Sequence, residues 1–247
     1  MMNYCTVVTG AASGIGYAVA SRLLDAGRKV LAVDLDEARL VERFRGREGV
    51  KTVACDLMAN EAVESVGRAA KENFDAVDGF VHAAGFDQMA PLGMIPNEAV
   101  QRLVAIHAGF PVQFLGWLAK KANHAPLPQM TACVLISSLS AHEGAKGHVA
   151  YAAAKGAVEG MLRPAAAELV AKNIRLNAVV LGVVETEMSK RWISKLSAEQ
   201  LSAIERDYPL GFGKSEEVAG IIEFLLSDKS RWITGQTIVC DGGHGIR

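Results

Sequence analysis

Tyr151 and Lys155 stand four residues apart in the run Tyr-Ala-Ala-Ala-Lys. On a helix that spacing puts both on one face, with about 5–6 Å between Cβ atoms. A free tyrosine titrates near pH 10, and an adjacent ammonium favours the phenolate, so the pair predicts a phenol drawn toward neutrality. Such a group gives a proton to a carbonyl oxygen or takes one from an alcohol. Ser138 ends an apolar run 13 residues before the tyrosine, where its hydroxyl can hold the reacting oxygen. The Tyr-x-x-x-Lys spacing alone is common and carries no meaning. Its weight comes from Ser138 and from a second constellation near residue 10.

That constellation is Thr9-Gly10-Ala11-Ala12-Ser13-Gly14-Ile15-Gly16, between an apolar run and a helical pattern. Glycines there allow a tight turn and remove the side chain that would keep a pyrophosphate away. A following helix offers free N–H groups and a positive dipole end to the anion. Asp34 ends the next apolar run, 18 residues past Gly16. A carboxylate there accepts from the hydroxyls of an adenosine ribose and repels a 2′-phosphate. Asp36 and Glu37 add negative charge, and the glycine loop holds no Lys or Arg. NAD(H) is therefore expected ahead of NADP(H). The plainer alternative for Asp34 is a cap on the next helix, a role Asp36 fills as well. Asp56-Leu57 ends the third run and suits either an adenine contact or a turn. The sequence His82-Ala83-Ala84-Gly85 ends the fourth, where small residues let backbone approach a flat ring.

These residues need strands that end together. Short apolar runs at 5–9, 29–33, 51–54, 79–82, 132–137, 175–180 and 237–240 alternate with helical patterns at 14–26, 37–45, 61–73, 97–122, 150–172 and 215–227. Near-continuous apolar runs suit strands buried on both faces of a parallel sheet, and strict β–α alternation predicts an α/β, doubly wound sheet. Nothing divides the chain, so residues 1–247 read as one dinucleotide-binding catalytic domain, with the polar stretch 185–209 as a substrate lid. Residues 122–129, with Pro126 and Pro128, read as a surface loop.

Composition narrows the function. There are 26 Lys and Arg against 27 Asp and Glu, a net charge of −1, which disfavours a nucleic-acid partner. Half the residues are hydrophobic, enough for a full core. The four cysteines, Cys5, Cys55, Cys133 and Cys240, show no metal spacing and read as buried free thiols of a reduced compartment. No metal, no membrane span and no signal peptide are expected, and the localisation read from this is cytoplasmic.

Taken in order, these motifs resemble the short-chain dehydrogenase/reductase family over essentially the whole chain. The likeness includes Asn177-Ala178-Val179, Gly182 through Thr186, and Asp241-Gly242-Gly243. It implies a single Rossmann-type sheet of about seven strands in the order 3-2-1-4-5-6-7. It implies Tyr151 as general acid/base, Lys155 as the group that lowers its pKa and holds the nicotinamide ribose, and Ser138 as the anchor of the substrate oxygen. Cofactor contacts would come from Gly10, Ser13, Ile15, Gly16, Asp34, Leu35, Asp56, Leu57, Ala84, Gly85, Tyr151, Lys155, Val184 and Thr186. The implied activity is hydride transfer between nicotinamide and a small secondary alcohol or ketone, in a homodimer or homotetramer. A 3-oxoacyl-carrier-protein-reductase-like ketoreductase and a non-catalytic dinucleotide sensor are the alternatives.

The chain departs from the family at three places. The usual asparagine on the helix before Ser138 is missing from Ile106-His107-Ala108-Gly109-Phe110-Pro111. Registering on Pro111 puts His107 there, and registering on Gly109 puts Ile106 there. His107 is the favoured reading, as a hydrogen-bonding replacement in a proton relay. Leu181 replaces a proline before Gly182. Pro164 lies inside the helix that carries Tyr151 and should bend it, although Gly156 and Gly160 on that helix permit close approach of a partner. The segments 86–95, 139–149 and 185–209 should line the substrate pocket with Phe86, Met89, Met94, His142, His148, Met188 and Trp192.

Overall fold

The computed structural model describes residues 2–246. Seven strands form one parallel sheet: β1 (Tyr4–Thr9), β2 (Val30–Asp34), β3 (Val50–Ala54), β4 (Ala76–His82), β5 (Thr131–Ser138), β6 (Ile174–Leu181) and, after a separate two-strand pair, β9 (Thr237–Cys240). Their spatial order is β3-β2-β1-β4-β5-β6-β9, the order expected from the sequence. The pair is β7 (Val184–Glu185) with β8 (Gly213–Lys214), which the sequence reading missed because two residues leave no periodic pattern.

Helices cover both faces. On one side α1 (Gly14–Asp25), α2 (Glu37–Phe44) and α9 (Ser215–Leu226) pack against Val8, Ala32, Val134 and Val179. On the other lie α3 (Ala62–Asn73), α4 (Ala99–Val104), α5 (Phe110–Leu118) and α6 (Val149–Val170), with Phe80, Phe114 and Leu176 at their centre. All eight residues of β6 are buried, which is why that run reads as unbroken apolar character. Gly27 ends α1 as expected: its N–H reaches the Leu24 carbonyl and the Arg28 N–H reaches Leu23, with Gly27 at φ +75°. Buried Arg175 donates to the carbonyls of Leu225 and Ser227, where α9 ends.

One helical expectation needs correction. The pattern at 97–122 is not one helix: α4 and α5 are separated by a π-helical turn over Ala105–Gly109, with the Phe110 N–H bonded five residues back to Ala105. Pro111 supplies the reason. It has no N–H, and its ring would press on the carbonyl four residues earlier in a regular helix; one extra residue in the turn relieves both problems. Pro164, by contrast, does not interrupt α6, which runs unbroken from Val149 to Val170 with the proline on an exposed face.

The stretch 185–209, expected as a lid, folds into α7 (Glu187–Ile193) and α8 (Ala198–Arg206). Each opens with reciprocal capping, Thr186 with Ser189 and Ser197 with Gln200. The loop at 122–129 is anchored by a bridge between Val77 and His124. All four cysteines are free thiols. Among the described residues no helix is long and apolar enough to cross a membrane.

Candidate active site

A cleft of about 700 Å³ opens along the carboxyl ends of β1 to β6. Every candidate site residue lines it. Gly10, Ser13, Ile15 and Gly16 border one end together with Asp34, Leu35, Asp56 and Leu57; Ala84 and Gly85 lie at the end of β4; His107, Ser138, Tyr151, Lys155, Val184 and Thr186 complete the wall.

The glycine end is shaped by missing atoms. A Cβ on Gly16 would stand 2.1 Å from the Gly10 carbonyl oxygen, so α1 can meet its own loop only without a side chain there. Gly10 sits at φ +68°, and a Cβ on it would press on the Ala83–Ala84 backbone at 2.8 Å. Ser13 precedes α1 without using its side chain as a cap, so the first-turn N–H groups keep their capacity for an anion. Asp34 fixes this loop. Its two carboxylate oxygens accept from the N–H of Ala12 at 2.9 Å and of Asp36 at 3.1 Å. The cap on α2 is Asp36, which accepts from the Arg39 N–H. Asp56 accepts from the Met58 N–H and so also serves its own turn.

The opposite end is shaped by buried polar groups from distant elements. Lys155 is buried on α6, and its Nζ donates to the Ile136 carbonyl at 2.9 Å and to His107 Nδ1 at 3.1 Å. Burial lowers its pKa to about 7. His107, in the π-helical turn, donates from Nε2 to the Phe86 carbonyl at 2.9 Å, which leaves Nδ1 as the acceptor for the lysine. Burial, then the lysine charge, hold the imidazole well below its ordinary range. Of the two registers, His107 is thus the residue against Lys155. Ile106 turns its carbonyl to His82 Nε2, 2.8 Å away. His82, itself pushed down to about 3 by burial, accepts at Nδ1 from the Thr9 hydroxyl at 2.9 Å. Two neutral imidazoles thus pin the turn, His82 to β4 and β1 and His107 to the segment after β4 and to α6.

Ser138 accepts from the Ser140 N–H at 3.2 Å, and its hydroxyl lies 3.3 Å from Ser140 Oγ, which in turn meets His148 Nδ1 at 3.3 Å. Ser138 also hydrogen-bonds Tyr151. The phenol does not follow the sequence expectation. Burial pushes its pKa up, with a contribution from the Asp87 charge, and only the Ser138 hydrogen bond works the other way. The physical reason is orientation: the ammonium of Lys155 lies over the tyrosine ring, 5.4 Å from its centroid, with its donors turned to Ile136 and His107.

A family model described as enoyl-(acyl carrier protein) reductase matches residues 10–245. The chain belongs to the short-chain dehydrogenase/reductase family. As such it is an oxidoreductase. It is 32% identical to a 3-oxoacyl-[acyl-carrier-protein] reductase of Thermotoga maritima, over 96% of each chain. It is 31% identical to a D-threitol dehydrogenase of Mycolicibacterium smegmatis, over 98% of this chain and 92% of that one. Its fold matches the solved structure of a 4-hydroxyisoleucine dehydrogenase complexed with NADH, with a TM-score of 0.89, 26% identity, and coverage of 99% and 100%.

In this short-chain dehydrogenase/reductase the substrate end differs from expectation in detail. Phe86, Met89, His148, Met188 and Trp192 line the cleft as foreseen. Met94 is exposed outside it, and His142 turns away to pair with Glu159 on α6 at 2.8 Å. Asp87, Glu143 and Tyr208, inside the segments expected to line the pocket but not singled out there, also line it, as does His244, which lies outside those segments. Tyr208 accepts from the Val183 N–H and stacks on His244, which pairs with Glu143 at 2.8 Å. The Asp241-Gly242-Gly243 motif was the signal for His244: Asp241 accepts from the N–H groups of Gly243 and Gly245, in the segment that bears it.

Proposed function

We propose that the enzyme transfers hydride between NAD(H) and a secondary alcohol or ketone, with Tyr151 as general acid/base. One observation carries the reading: Ser138 on β5 and Tyr151 with Lys155 on α6 line the same cleft as the glycine cradle, although the three groups come from separate stretches of chain. The cradle fits a dinucleotide because the N-terminus of α1 is uncapped and can meet a pyrophosphate, on a turn whose tight form Gly10 and Gly16 alone permit. When bound, the nicotinamide supplies the hydride acceptor or donor. Gly10, Ser13, Ile15 and Gly16 hold the phosphates, Asp34 and Leu35 the ribose, and Asp56 and Leu57 the adenine. Ala84 and Gly85 provide a flat shelf, and Val184 and Thr186 grip the amide. Ser138 holds the substrate oxygen, and Tyr151 exchanges a proton with it. Lys155, with a pKa near 7, passes charge toward His107, which takes the role of the missing asparagine.

NAD(H) is favoured over NADP(H) by Asp34, whose carboxylate is fixed by two N–H groups beside the cradle. Arg39, on α2 beyond Asp34, is bound to Glu187 of the lid at 2.9 Å and is not turned toward a 2′-phosphate. Likeness to the Thermotoga protein favours a 3-oxoacyl substrate as a second reading. We further propose a homodimer or homotetramer built along α6, where a Cβ on Gly156 or Gly160 would meet nothing within 4 Å. The free thiols favour a reducing cytoplasm.

The test is a turnover screen with NADH, NADPH and their oxidised forms across ketones, hydroxy acids, polyols and steroid alcohols. Tyr151→Phe should bind NADH as the wild type does and lose turnover by about 10²–10⁴-fold. Undiminished turnover in that variant would overturn the mechanism, and binding without turnover in the wild type would favour a sensor.

A further inference from the structure

Asp87 lies two residues past the Gly85 shelf and lines the cleft beside Ser138 and Tyr151. It is half-buried, and among the described residues it takes part in no hydrogen bond or ion pair. The other polar groups at this end are engaged. Glu143 is paired with His244, and His148 meets Ser140. The nearby cations are turned elsewhere: Lys155 donates to Ile136 and His107, Arg102 lies over the Phe86 ring, and Arg191 donates to the Glu187 carbonyl. Among the described residues, Asp87 is thus a carboxylate beside the reacting phenol with no hydrogen-bond or ion-pair partner. An ionised carboxylate in a cleft wall accepts strong hydrogen bonds and repels anions.

Resting on the oxidoreductase reading above, we propose that Asp87 is a specificity residue that accepts a hydrogen bond from a hydroxyl or ammonium group borne next to the reacting carbon. The preferred substrates are then vicinal diols and polyols or vicinal amino alcohols, with simple alcohols poorer and β-hydroxy acids poorest. The group on the substrate supplies the partner that the chain withholds, and it neutralises a charge that otherwise opposes the phenolate.

The experiment compares kcat/KM for butane-2,3-diol, 1-amino-2-propanol, 2-butanol and 3-hydroxybutyrate, at one pH, in the wild type and in Asp87→Asn and Asp87→Leu. The wild type should prefer the diol or the amino alcohol to 2-butanol by about tenfold or more, as a charge-assisted hydrogen bond allows. Asp87→Leu should erase that preference for both. Asp87→Asn keeps an acceptor but no charge, so it should erase the preference for the amino alcohol and retain part of it for the diol, which separates the two donors. In both variants the discrimination against 3-hydroxybutyrate should relax. An equal fall on all four substrates would reveal a merely structural role and overturn the proposal. So would a wild type that prefers 2-butanol; in that case turnover itself leaves the oxidoreductase reading intact. Absence of turnover across the wider screen would sink both.

Discussion

The two ends of the cleft are made by opposite means. At the glycine end the chain shapes its surface by leaving atoms out, and the contacts run between backbone segments: Gly10 against Gly16 at the start of α1, and Gly10 against Ala83–Ala84 after β4. At the tyrosine end the chain gathers ionisable side chains from β4, the π-helical turn and α6 and buries them against one another and against the Ile136 carbonyl of β5. The first end depends on local geometry, where a single added methyl has nowhere to go. The second depends on desolvation, where the protonation state of each group is set by what covers it. Substitutions should therefore act through shape at one end and through pH at the other.

The largest effect should come from Gly16→Ala. Its Cβ would lie 2.1 Å from the Gly10 oxygen and 2.6 Å from the Gly10 carbon, both backbone, so α1 must move off the loop. Overpacking of this kind costs about 1–3 kcal/mol or more. NADH titration and a thermal melt should show cofactor affinity reduced by about a hundredfold or the fold lost. Tolerance of the methyl would mean that the cradle is not held by that contact.

A smaller effect, confined to the other end, is expected at His107. Replacement by leucine removes the acceptor of Lys155 and the donor to Phe86. Turnover should fall by about tenfold or more, within the range of a lost proton-transfer group, and its pH profile should move. His107→Asn should recover part of the rate, since an amide can both donate and accept. Wild-type profiles in both variants would remove His107 from the relay.

The mildest effect concerns stability in acid. His82 and His107 are held neutral in the folded chain, below the 6.5 of an exposed imidazole. Below about pH 6.5 the unfolded chain gains protons that the folded chain refuses, so this contribution to stability is present above that pH and is lost as pH falls toward 3. Denaturation curves at stepped pH should show a slope approaching two protons. His82→Asn should remove about one of them, leaving cofactor affinity at neutral pH far less altered than Gly16→Ala does. An unchanged slope would show that His82 is not buried neutral.

Some of this was plain in the residues. The β–α alternation led to a doubly wound parallel sheet, because right-handed crossovers prune the ways to wind such strands; the strand order came from the family resemblance. The cradle was readable because turn, helix start and acid lie within one βαβ unit. The helix break was missed although Pro111 announces it: the periodic apolar pattern continues across the π-helical turn and hides the extra residue. Met94 and His142 were misassigned to the cleft because loop residues have no period to show which way they face. His244 was missed because it joins Tyr208 and Glu143 only when the terminal segment folds back at Asp241.

The tyrosine marks the boundary most clearly. Its spacing from Lys155 put both residues on one helix, and that held. The direction of its pKa did not follow, since the spacing says nothing of the cover above the hydroxyl or of the carbonyl and imidazole that claim the ammonium. What the sequence alone determined are the features fixed by covalent neighbours: the turn glycines, the helix that follows them, the shared face of Tyr151 and Lys155. Which groups are dry, which are paired and which carry charge was decided only by tertiary packing, because solvation and Coulomb energy depend on distances in space that local chain geometry does not fix.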